Sequence, residues 1–327
     1  DGNPSNNCSV SGVSGAIADY QGGDWAGIAR KIDDGYFNDL GVNTLWLTVP
    51  VKNADTFAGQ GVGGDNHLYS SYHGYWPSPA AVSYAADGTL ASGSPTPQVD
   101  SRIGTSTDLH TLVDTAHTTT AADGHPMRVL FDYVMKHVDA DSGLHTAHPD
   151  WFVNPVRLCA DGNVWDDSFW GTRCSFTTYL PSFDYYQDAP RAWSVSDAVW
   201  WAHEYHLDGL RLDAIKHVPL TWLTDLRTRA HAMFPTPSGG RFYMVGETFT
   251  GDKPTIAKYV SCDKLDGQFD FPLRLELTEA LLARRRPMTA LAAFVASNDG
   301  FYGSTALMSP WAGNHDLGRI IHVAEDV

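Results

Sequence analysis

The chain has 327 residues, 43% of them hydrophobic, and carries a formal net charge of −16. That length suits one large barrel or two ordinary domains. The negative charge argues against nucleic acids and anionic membrane surfaces as partners, and the sequence contains no run of about 18 apolar residues that would predict a membrane-spanning helix.

Helical and strand patterns alternate from residue 24 onward. Apolar residues at near-helical spacing predict a helix over 24–40, with Asp24 as its N-cap, and a strand over 42–49. The same pair of patterns recurs, with further predicted helices over 107–122, 193–205, 222–234, 275–285, 288–297 and 318–327. The further predicted strands cover 128–134, 209–213, 242–247, a short segment near 268–271, and 305–308.

This alternation predicts an α/β protein. Strands that are apolar on both faces and alternate with helices indicate a parallel sheet. Repeated units of this kind without a dinucleotide-binding fingerprint favour a (β/α)8 TIM barrel over a doubly wound sheet. Two connections, 52–106 and 137–191, are too long for simple loops. We therefore predict a first barrel part over 1–136, a small inserted subdomain over 137–191 and a second barrel part over 192–327.

Charged residues lie within or just after the predicted strands. Asp132 lies within one apolar strand, Arg211 and Asp213 close the next, Glu247 closes a third, and Asp316 follows a fourth. Ionised groups are costly in apolar strands unless they are paired. A structural ion pair would explain Arg211 and Asp213 alone. Carboxylates that end several strands are instead expected to converge on the active-site face of a barrel.

Six short segments resemble the signature segments of one family. They are YHGYW at 72–76, DYVMKH at 132–137, LPSFD at 180–184, GLRLDAIKH at 209–217, GET at 246–248 and GNHD at 313–316. In this combination the chain resembles the α-amylase family of glycoside hydrolases, family 13. The resemblance implies a TIM-barrel catalytic domain with the inserted subdomain after the third strand. By this comparison the first and eighth strands are missing, so the chain is expected to be a fragment of the domain.

The resemblance implies that three acids are catalytic. Asp213 would be the nucleophile, Glu247 the general acid/base, and Asp316 a third carboxylate that holds sugar hydroxyls. Retaining glycoside hydrolysis needs one charged carboxylate that attacks the anomeric carbon and one protonated carboxyl that releases the leaving oxygen. Arg211 lies two residues before Asp213 on a strand, hence on the same face, where it would keep Asp213 ionised.

The same resemblance implies a set of substrate-binding residues. The set comprises His73, Tyr75, Trp76, His137, Arg211, Lys216, His217 and His315. Tyr75 would stack on the sugar at the cleavage site, and His137 and His315 would hydrogen-bond it. Lys216 and His217 would line the leaving-group side of the cleft, which favours an endo-acting enzyme. The alternative for this last pair is a surface lysine and a helix-capping histidine.

Two positions depart from the family pattern near the calcium ion that the resemblance implies. Lys136 stands where the family usually has an asparagine ligand, and Ser182 where many members have an aspartate. A protonated lysine has no lone pair to coordinate a metal. We therefore predict that no cofactor is required and that calcium binds at most weakly, through the carbonyl of His217. Our hypothesis is that the Lys136 ammonium replaces the ion and pairs with a carboxylate of the insertion, for which Asp184 is the candidate.

Cysteine usage and the N-terminal sequence bear on the cellular compartment. Cys159 and Cys174 flank a loop-like stretch, where a disulfide would close a loop of about 15 residues; the alternative is two unrelated thiols. Cys8 and Cys262 have no evident partners. The chain opens on Asp1 without an apolar signal segment, which is typical of a mature secreted protein and equally of an internal fragment. We predict a secreted protein that is monomeric at full length.

The predicted function is retaining endo-hydrolysis of α-1,4-glucosidic bonds in starch-like α-glucans and maltooligosaccharides. The first alternative is a transglycosylase or cyclomaltodextrin-acting enzyme of the same family, because such an enzyme would share the three acids. The second is a non-catalytic sugar-binding barrel. Loss of a catalytic acid would mark that second alternative, yet Asp213, Glu247 and Asp316 are all present.

Overall fold

A parallel β-sheet organises the molecule. The computed structural model describes residues 20, 22–56, 69–234, 241–298 and 300–324. Its five strands pair in chain order and are Thr44–Leu47 (β1), Arg128–Tyr133 (β2), Gly209–Leu212 (β3), Tyr243–Gly246 (β4) and Gly267–Gln268 (β5). Every pairing is parallel. The predicted α/β class with a parallel sheet is therefore confirmed.

Helices connect the strands and cover the sheet. They are Trp25–Asp33 (α1), Tyr36–Asp39 (α2), Ser106–Thr118 (α3), Gly143–Ala147 (α4), Asp188–Glu204 (α5), Leu220–Met233 (α6), Lys253–Ala257 (α7), Phe271–Leu277 (α8), Met288–Asn298 (α9) and Ile320–Ala324 (α10). Short 3-10 helices lie at Pro149–Trp151 and Ile215–His217, and α8 continues into a π-helical turn at Thr278–Leu282. Within the described ranges, no helix is long and apolar enough to cross a membrane.

The first predicted helix begins where expected but is interrupted at Gly35. Asp24 caps α1 as predicted, because its Oδ1 accepts a hydrogen bond from the backbone N–H of Gly27 at 2.6 Å. The predicted helix over 24–40 is nevertheless split into α1 and α2. Gly35 between them has φ 77°, a left-handed conformation that interrupts a right-handed helix. The split lies far from the strand ends and leaves β1 in its predicted place.

The predicted strand over 305–308 is wrong. The structure describes all four residues, and they form no strand; a single parallel bridge joins Phe269 to Ser309 instead. The segment still runs beside β5, because the N–H of Leu307 donates to the Asp266 carbonyl at 2.7 Å. Gly267 permits this approach, since a Cβ at that position would lie 1.9 Å from the Leu307 carbonyl oxygen. Two further backbone hydrogen bonds, from Ser309 to Gln268 and from Asp270 to Ser309, continue this contact, but they give one isolated bridge and no strand.

The connection between β2 and α5 has a small core of its own. A disulfide joins Cys159 to Cys174, as predicted, and the alternative of two unrelated thiols is excluded. Both sulfurs pack with Val164 in a hydrophobic cluster separate from the main core. Cys262 is exposed and has no sulfur partner in the described ranges, whereas Cys8 lies outside them. The subdomain boundaries at 137 and 191 stay a prediction.

Removing the disulfide should destabilise the protein. The bond closes a loop with a sequence separation of 15 residues, and a loop of that size is expected to contribute about 3 kcal/mol. The double variant Cys159→Ser/Cys174→Ser should lower the free energy of unfolding by about that amount in urea titrations. Cys262→Ser serves as the matched control and should leave the unfolding midpoint unchanged. Equal midpoints for both variants would contradict the prediction.

Candidate active site

One guanidinium group lies at the centre of the site. Arg211 is buried and donates to three carboxylates: Nη1 to Asp132 Oδ1 at 2.8 Å and to Asp213 Oδ1 at 2.7 Å, and Nη2 to Glu247 Oε2 at 2.6 Å. A guanidinium stays protonated at any ordinary pH and suits such multiple carboxylate contacts. Because Asp213 and Glu247 bind different nitrogens of the same group, the two acids lie side by side.

The sheet register brings these side chains together. Asp132 of β2 is the register partner of Arg211 on β3, and both side chains point to the same face. The ladder then continues past the strand ends, because the N–H of Asp213 donates to the Tyr133 carbonyl and that of Glu247 to the Leu212 carbonyl, both at 3.1 Å. The acids therefore leave neighbouring strands at one edge of the sheet, as expected for the active-site end of parallel β/α units.

The protonation of Glu247 differs from that of an ordinary glutamate. Burial raises the pKa of its carboxyl to about 7; Arg211 opposes this shift, and the negative charges of Asp213, Asp316 and Asp132 add to it. Burial also raises the pKa of Asp132, although the Arg211 guanidinium opposes the shift. A carboxyl with a pKa near 7 carries a proton in a large part of its population at neutral pH, which is what a general acid requires.

Asp316, the third acid, is linked to the site by a chain of contacts through His315 and Tyr75. The Tyr75 hydroxyl donates to Asp132 Oδ2 at 2.7 Å and lies 3.1 Å from Nε2 of His315. The same His315 nitrogen lies 3.3 Å from Asp316 Oδ2. Both His315 and Asp316 are exposed, with 43% and 44% of their side-chain surface accessible. Asp316 is thus close enough to influence Glu247 electrostatically while its carboxylate stays open to solvent.

The segment around Tyr75 forms one wall. The His73 ring stacks on the Tyr75 ring at 5.0 Å, and its Nδ1 accepts the backbone N–H of Tyr75. Burial lowers the pKa of His73 to about 4, and the nearby His315 adds to the shift. His137 is buried, and its Nε2 lies 2.9 Å from the Tyr75 carbonyl, so this contact helps to hold the backbone of the wall in place.

Trp76 lies elsewhere than predicted. Its side chain is 5% exposed and packs against Ala54 and Leu180 in a small hydrophobic cluster. A sugar would have to displace that packing to reach the indole ring. The structure therefore does not support the predicted substrate contact of Trp76 and gives this residue a packing role beneath His73, whose ring meets it edge-on at 5.8 Å.

Lys216 and His217 follow β3 in a 3-10 turn. The Lys216 ammonium donates to Asp166 Oδ1 at 2.9 Å, and its side chain is only 14% exposed. His217 Nδ1 donates to the Gly171 carbonyl at 2.8 Å, and burial lowers the pKa of this histidine to about 4. The alternative of a surface lysine and a helix-capping histidine is therefore wrong. The turn begins at Ala214, whose φ of 47° is unusual for a residue other than glycine.

Sequence reasoning missed two aromatic residues beside Arg211. The guanidinium carbon lies 5.1 Å from the Trp46 ring centroid and 6.0 Å from that of Phe269, within the range of cation–π contact. Trp46 is on β1, and Phe269 follows β5. The sequence feature that could have pointed to this pair is Trp46 in the middle of a short apolar strand. Which face of that strand meets the site could not be assigned without the sheet register.

The residues near the implied calcium position do not fit that ion. Lys136 is 1% exposed, and its Nζ has no hydrogen-bond partner among the described residues. Burial lowers its pKa to about 7, and the positive charge of Arg173 adds to the shift. The Ser182 hydroxyl donates a hydrogen bond to the Cys174 carbonyl at 2.9 Å. In the described ranges no group of three or more His, Cys, Asp or Glu could hold a metal.

The predicted pairing of Lys136 with Asp184 is also wrong. The Asp184 carboxylate accepts from the Tyr186 backbone N–H at 3.3 Å and from Gln187 Nε2 at 3.2 Å. It therefore caps the turn that leads into α5, and among the described residues no hydrogen bond joins it to the lysine. An electrostatic partner for Lys136 was expected because buried charges are costly, and the lowered pKa is the alternative response to that cost.

Chelation should therefore leave thermal stability unchanged. Adding excess EDTA is expected to shift Tm by less than about 2 °C, because a bound ion stabilises only a protein that has a site for it. The measurement is a thermal melt followed by circular dichroism. The magnesium–EDTA complex at equal concentration controls for ionic strength. A Tm that falls by about 10 °C with EDTA and recovers with calcium would contradict the prediction.

Comparison with known proteins identifies the family. The family model Alpha-amylase, described as the alpha amylase catalytic domain, matches residues 1–327. The chain belongs to the α-amylase family. Relatives in this family are glycoside hydrolases that act on O-glycosyl bonds. The resemblance noted from the six signature segments is thus confirmed.

Individual relatives of this α-amylase family chain include two kinds of enzyme. An "Alpha-amylase" of Streptomyces lividans is 27% identical over 92% of the chain and 36% of that protein. A "Cyclomaltodextrin glucanotransferase" of Bacillus licheniformis is 26% identical over 98% of the chain and 42% of that protein. The chain thus spans less than half of the length of these curated relatives.

Solved structures of the family share the fold. The α-amylase of Geobacillus thermoleovorans, complexed with acarbose, superposes with a TM-score of 0.72 at 27% identity, over 94% of the chain and 58% of that structure. An Anoxybacillus α-amylase superposes with a TM-score of 0.74 at 24% identity, over 99% of the chain and 61% of that structure, and supports the fold alone.

Proposed function

We propose that the intact protein hydrolyses α-1,4-glucosidic bonds within starch-like glucans and maltooligosaccharides, with retention of anomeric configuration. The observation that carries this proposal is the shared contact of Asp213 and Glu247 with Arg211, combined with the raised pKa of Glu247, about 7. Both acids contact the same permanent cation, but Glu247 is the more deeply buried, 7% exposed against 15% for Asp213. Glu247 therefore retains a proton in part of its population and suits the acid, while Asp213 suits the nucleophile.

The reaction then proceeds in two displacements. Asp213 attacks the anomeric carbon and forms a glycosyl ester, while Glu247 gives its proton to the departing glycosidic oxygen. The Glu247 carboxylate next removes a proton from water, which attacks the same carbon and releases Asp213. Asp316 supplies negative charge beside the oxocarbenium-like transition state and accepts hydrogen bonds from sugar hydroxyls.

The walls of the site supply the substrate contacts in this proposal. The Tyr75 ring packs against the rings of His73 and His315 in this wall, and the exposed His315 offers a donor next to Asp316. His137 and His73 fix the Tyr75 wall through the contacts described above. Lys216 and His217 would line the leaving-group side. Such residues raise the rate by holding the glucan in the correct position and orientation relative to the two acids.

We also propose that β1–β5 belong to a (β/α)8 barrel that carries residues 137–191 as an inserted subdomain, and that the protein is secreted. The order and parallel pairing of the strands and the TM-scores against α-amylases support the barrel. The disulfide between Cys159 and Cys174 supports an oxidising compartment. The net charge of −16 suits a neutral ligand such as a glucan.

One experiment separates hydrolysis from its alternatives. The intact protein is incubated with soluble starch and with maltotriose, and the products are resolved by size. Linear oligosaccharides shorter than the substrate support hydrolysis, whereas cyclic or elongated products support the transferase alternative, which the curated glucanotransferase relatives keep open. The absence of any product from either substrate would contradict both and favour a non-catalytic sugar-binding barrel.

A further inference from the structure

The disulfide-closed loop between Cys159 and Cys174 reaches from the insertion to the turn after the nucleophile. It binds two consecutive side chains of that turn: Asp166 accepts the Lys216 ammonium at 2.9 Å, and the Gly171 carbonyl accepts the His217 ring N–H at 2.8 Å. Because a carbonyl oxygen only accepts, the proton on His217 is fixed at Nδ1. The loop and the turn are 50 residues apart in sequence at the Lys216 contact.

The turn lies directly beside the proposed acid/base. The N–H of Ile215, the residue before Lys216, donates to the backbone carbonyl of Glu247 at 2.9 Å. In the proposed reaction Glu247 protonates the departing oxygen, so the departing sugar must lie next to Glu247. Lys216 is the next residue of this turn and so lies on the side of the site where that sugar would leave.

The ion pair has the features of a positioning contact more than those of a stabilising one. Asp166 is 82% exposed, whereas the Lys216 side chain is 14% exposed. An exposed carboxylate of this kind contributes little to stability. A lysine ammonium has three donors on a flexible stem, so one bond to Asp166 fixes its direction and leaves two donors for sugar hydroxyls.

Tyr259 also lies within electrostatic range of Asp166. Burial raises the pKa of Tyr259 to about 12, and the charge of Asp166 adds to the shift. Tyr259 follows α7, in the connection between β4 and β5. The disulfide loop and the turn after β3 are thus joined at the Asp166 carboxylate, and the segment after α7 lies within electrostatic range of that carboxylate.

We propose that Asp166 is a positioning residue that aims the Lys216 ammonium at the hydroxyls of the departing glucosyl unit, and that residues 159–174 thereby set the preference for the leaving group. This proposal rests on the proposed function. It predicts an effect on short substrates, which depend on every leaving-side contact, more than on polymeric starch, which has many contacts along the chain.

The test is Asp166→Asn in the intact protein. For maltotriose, KM should rise about threefold to tenfold, while kcat on soluble starch changes less than about twofold. Tm should stay within about 2 °C of the wild-type value, because the pair is exposed on the carboxylate side. Asp166→Glu should restore KM to near the wild-type value, since the exposed side chain has room for one more methylene.

Two comparisons make the result specific. Asp161→Asn removes an equal charge from the same loop without touching Lys216 and should leave KM unchanged. In a double-mutant cycle, Asp166→Asn should have no further effect in a Lys216→Met background, because the two residues act as one unit. A KM equal to wild type, additive effects in the cycle, or a fall in Tm and starch kcat together would overturn the proposal. A wild-type protein inactive on starch would overturn the proposed function, and this inference with it.

Discussion

Replacing Asp213 by Asn is expected to lower kcat on soluble starch by at least about 10³-fold. An amide is far too weak a nucleophile to attack the anomeric carbon, and it also removes the charge that pairs with Arg211 at 2.7 Å. The fold should persist, because the substitution conserves shape and the Asp213 side chain is partly exposed, at 15%. The measurement is kcat at saturating starch, with a thermal melt of the same sample.

Asp225→Asn is the matched control for this variant. Asp225 is a half-exposed acid on α6 that pairs with Arg191, outside the site. It undergoes the same change of charge and should retain wild-type kcat. If Asp213→Asn keeps more than about a tenth of the wild-type kcat, the nucleophile has been assigned to the wrong residue.

Replacing Glu247 by Gln is expected to lower kcat/KM on starch by about 10²- to 10⁴-fold and to change the pH profile. The active form of Glu247 is protonated, and its pKa is raised to about 7. Wild-type activity should therefore be present below pH 7 and fall as the pH rises through about 7, when the proton is lost. In the Gln variant this alkaline limb should disappear, because the amide has no proton to lose in that range.

An activated substrate distinguishes loss of the acid from general damage. A nitrophenyl maltooside has a leaving group that departs with little need for protonation. The Glu247→Gln variant should therefore lose much less activity in the first displacement on this substrate than on starch, which a burst of nitrophenolate would report. Equal losses on both substrates, or an unchanged alkaline limb in the variant, would contradict the role of Glu247 as general acid.

The central strands could be predicted from sequence because burial on both faces leaves a clear pattern. The predicted strand over 128–134 corresponds to Arg128–Tyr133, and that over 209–213 to Gly209–Leu212. Both lie between neighbouring strands and are almost wholly buried. The segment at 305–308 lies beside β5, which has only two residues, and the contact extends to a single bridge at Ser309 and forms no strand.

The charged residues of the site could be predicted from the sequence for a related reason. Charged residues at Arg211, Asp213 and Glu247 contradict their apolar surroundings, so they stand out without coordinates. The surroundings of the two lysines did not stand out, because a lysine can pair with any acid that the fold brings near it. Lys216 pairs with Asp166, and Lys136 has no hydrogen-bond partner among the described residues. Asp184 was the candidate for Lys136 as a carboxylate of the insertion, whereas the acid of the insertion that does pair with a lysine is Asp166, which binds Lys216 across 50 residues of sequence. Long-range pairing of exposed acids leaves no periodic signal.

The disulfide-closed loop, residues 159–174, has a consequence for how the sequence of such a protein can evolve. The proposed catalytic acids come from strand ends, whereas the surface beside Lys216 comes from a loop whose two ends are held together, with the Cα atoms of Cys159 and Cys174 4.9 Å apart. A stretch closed in this way can be exchanged for one of different length without shifting β2 or α5. If the proposed role of this loop holds, recombination and drift can alter the preference for the leaving group while the three acids are inherited unchanged.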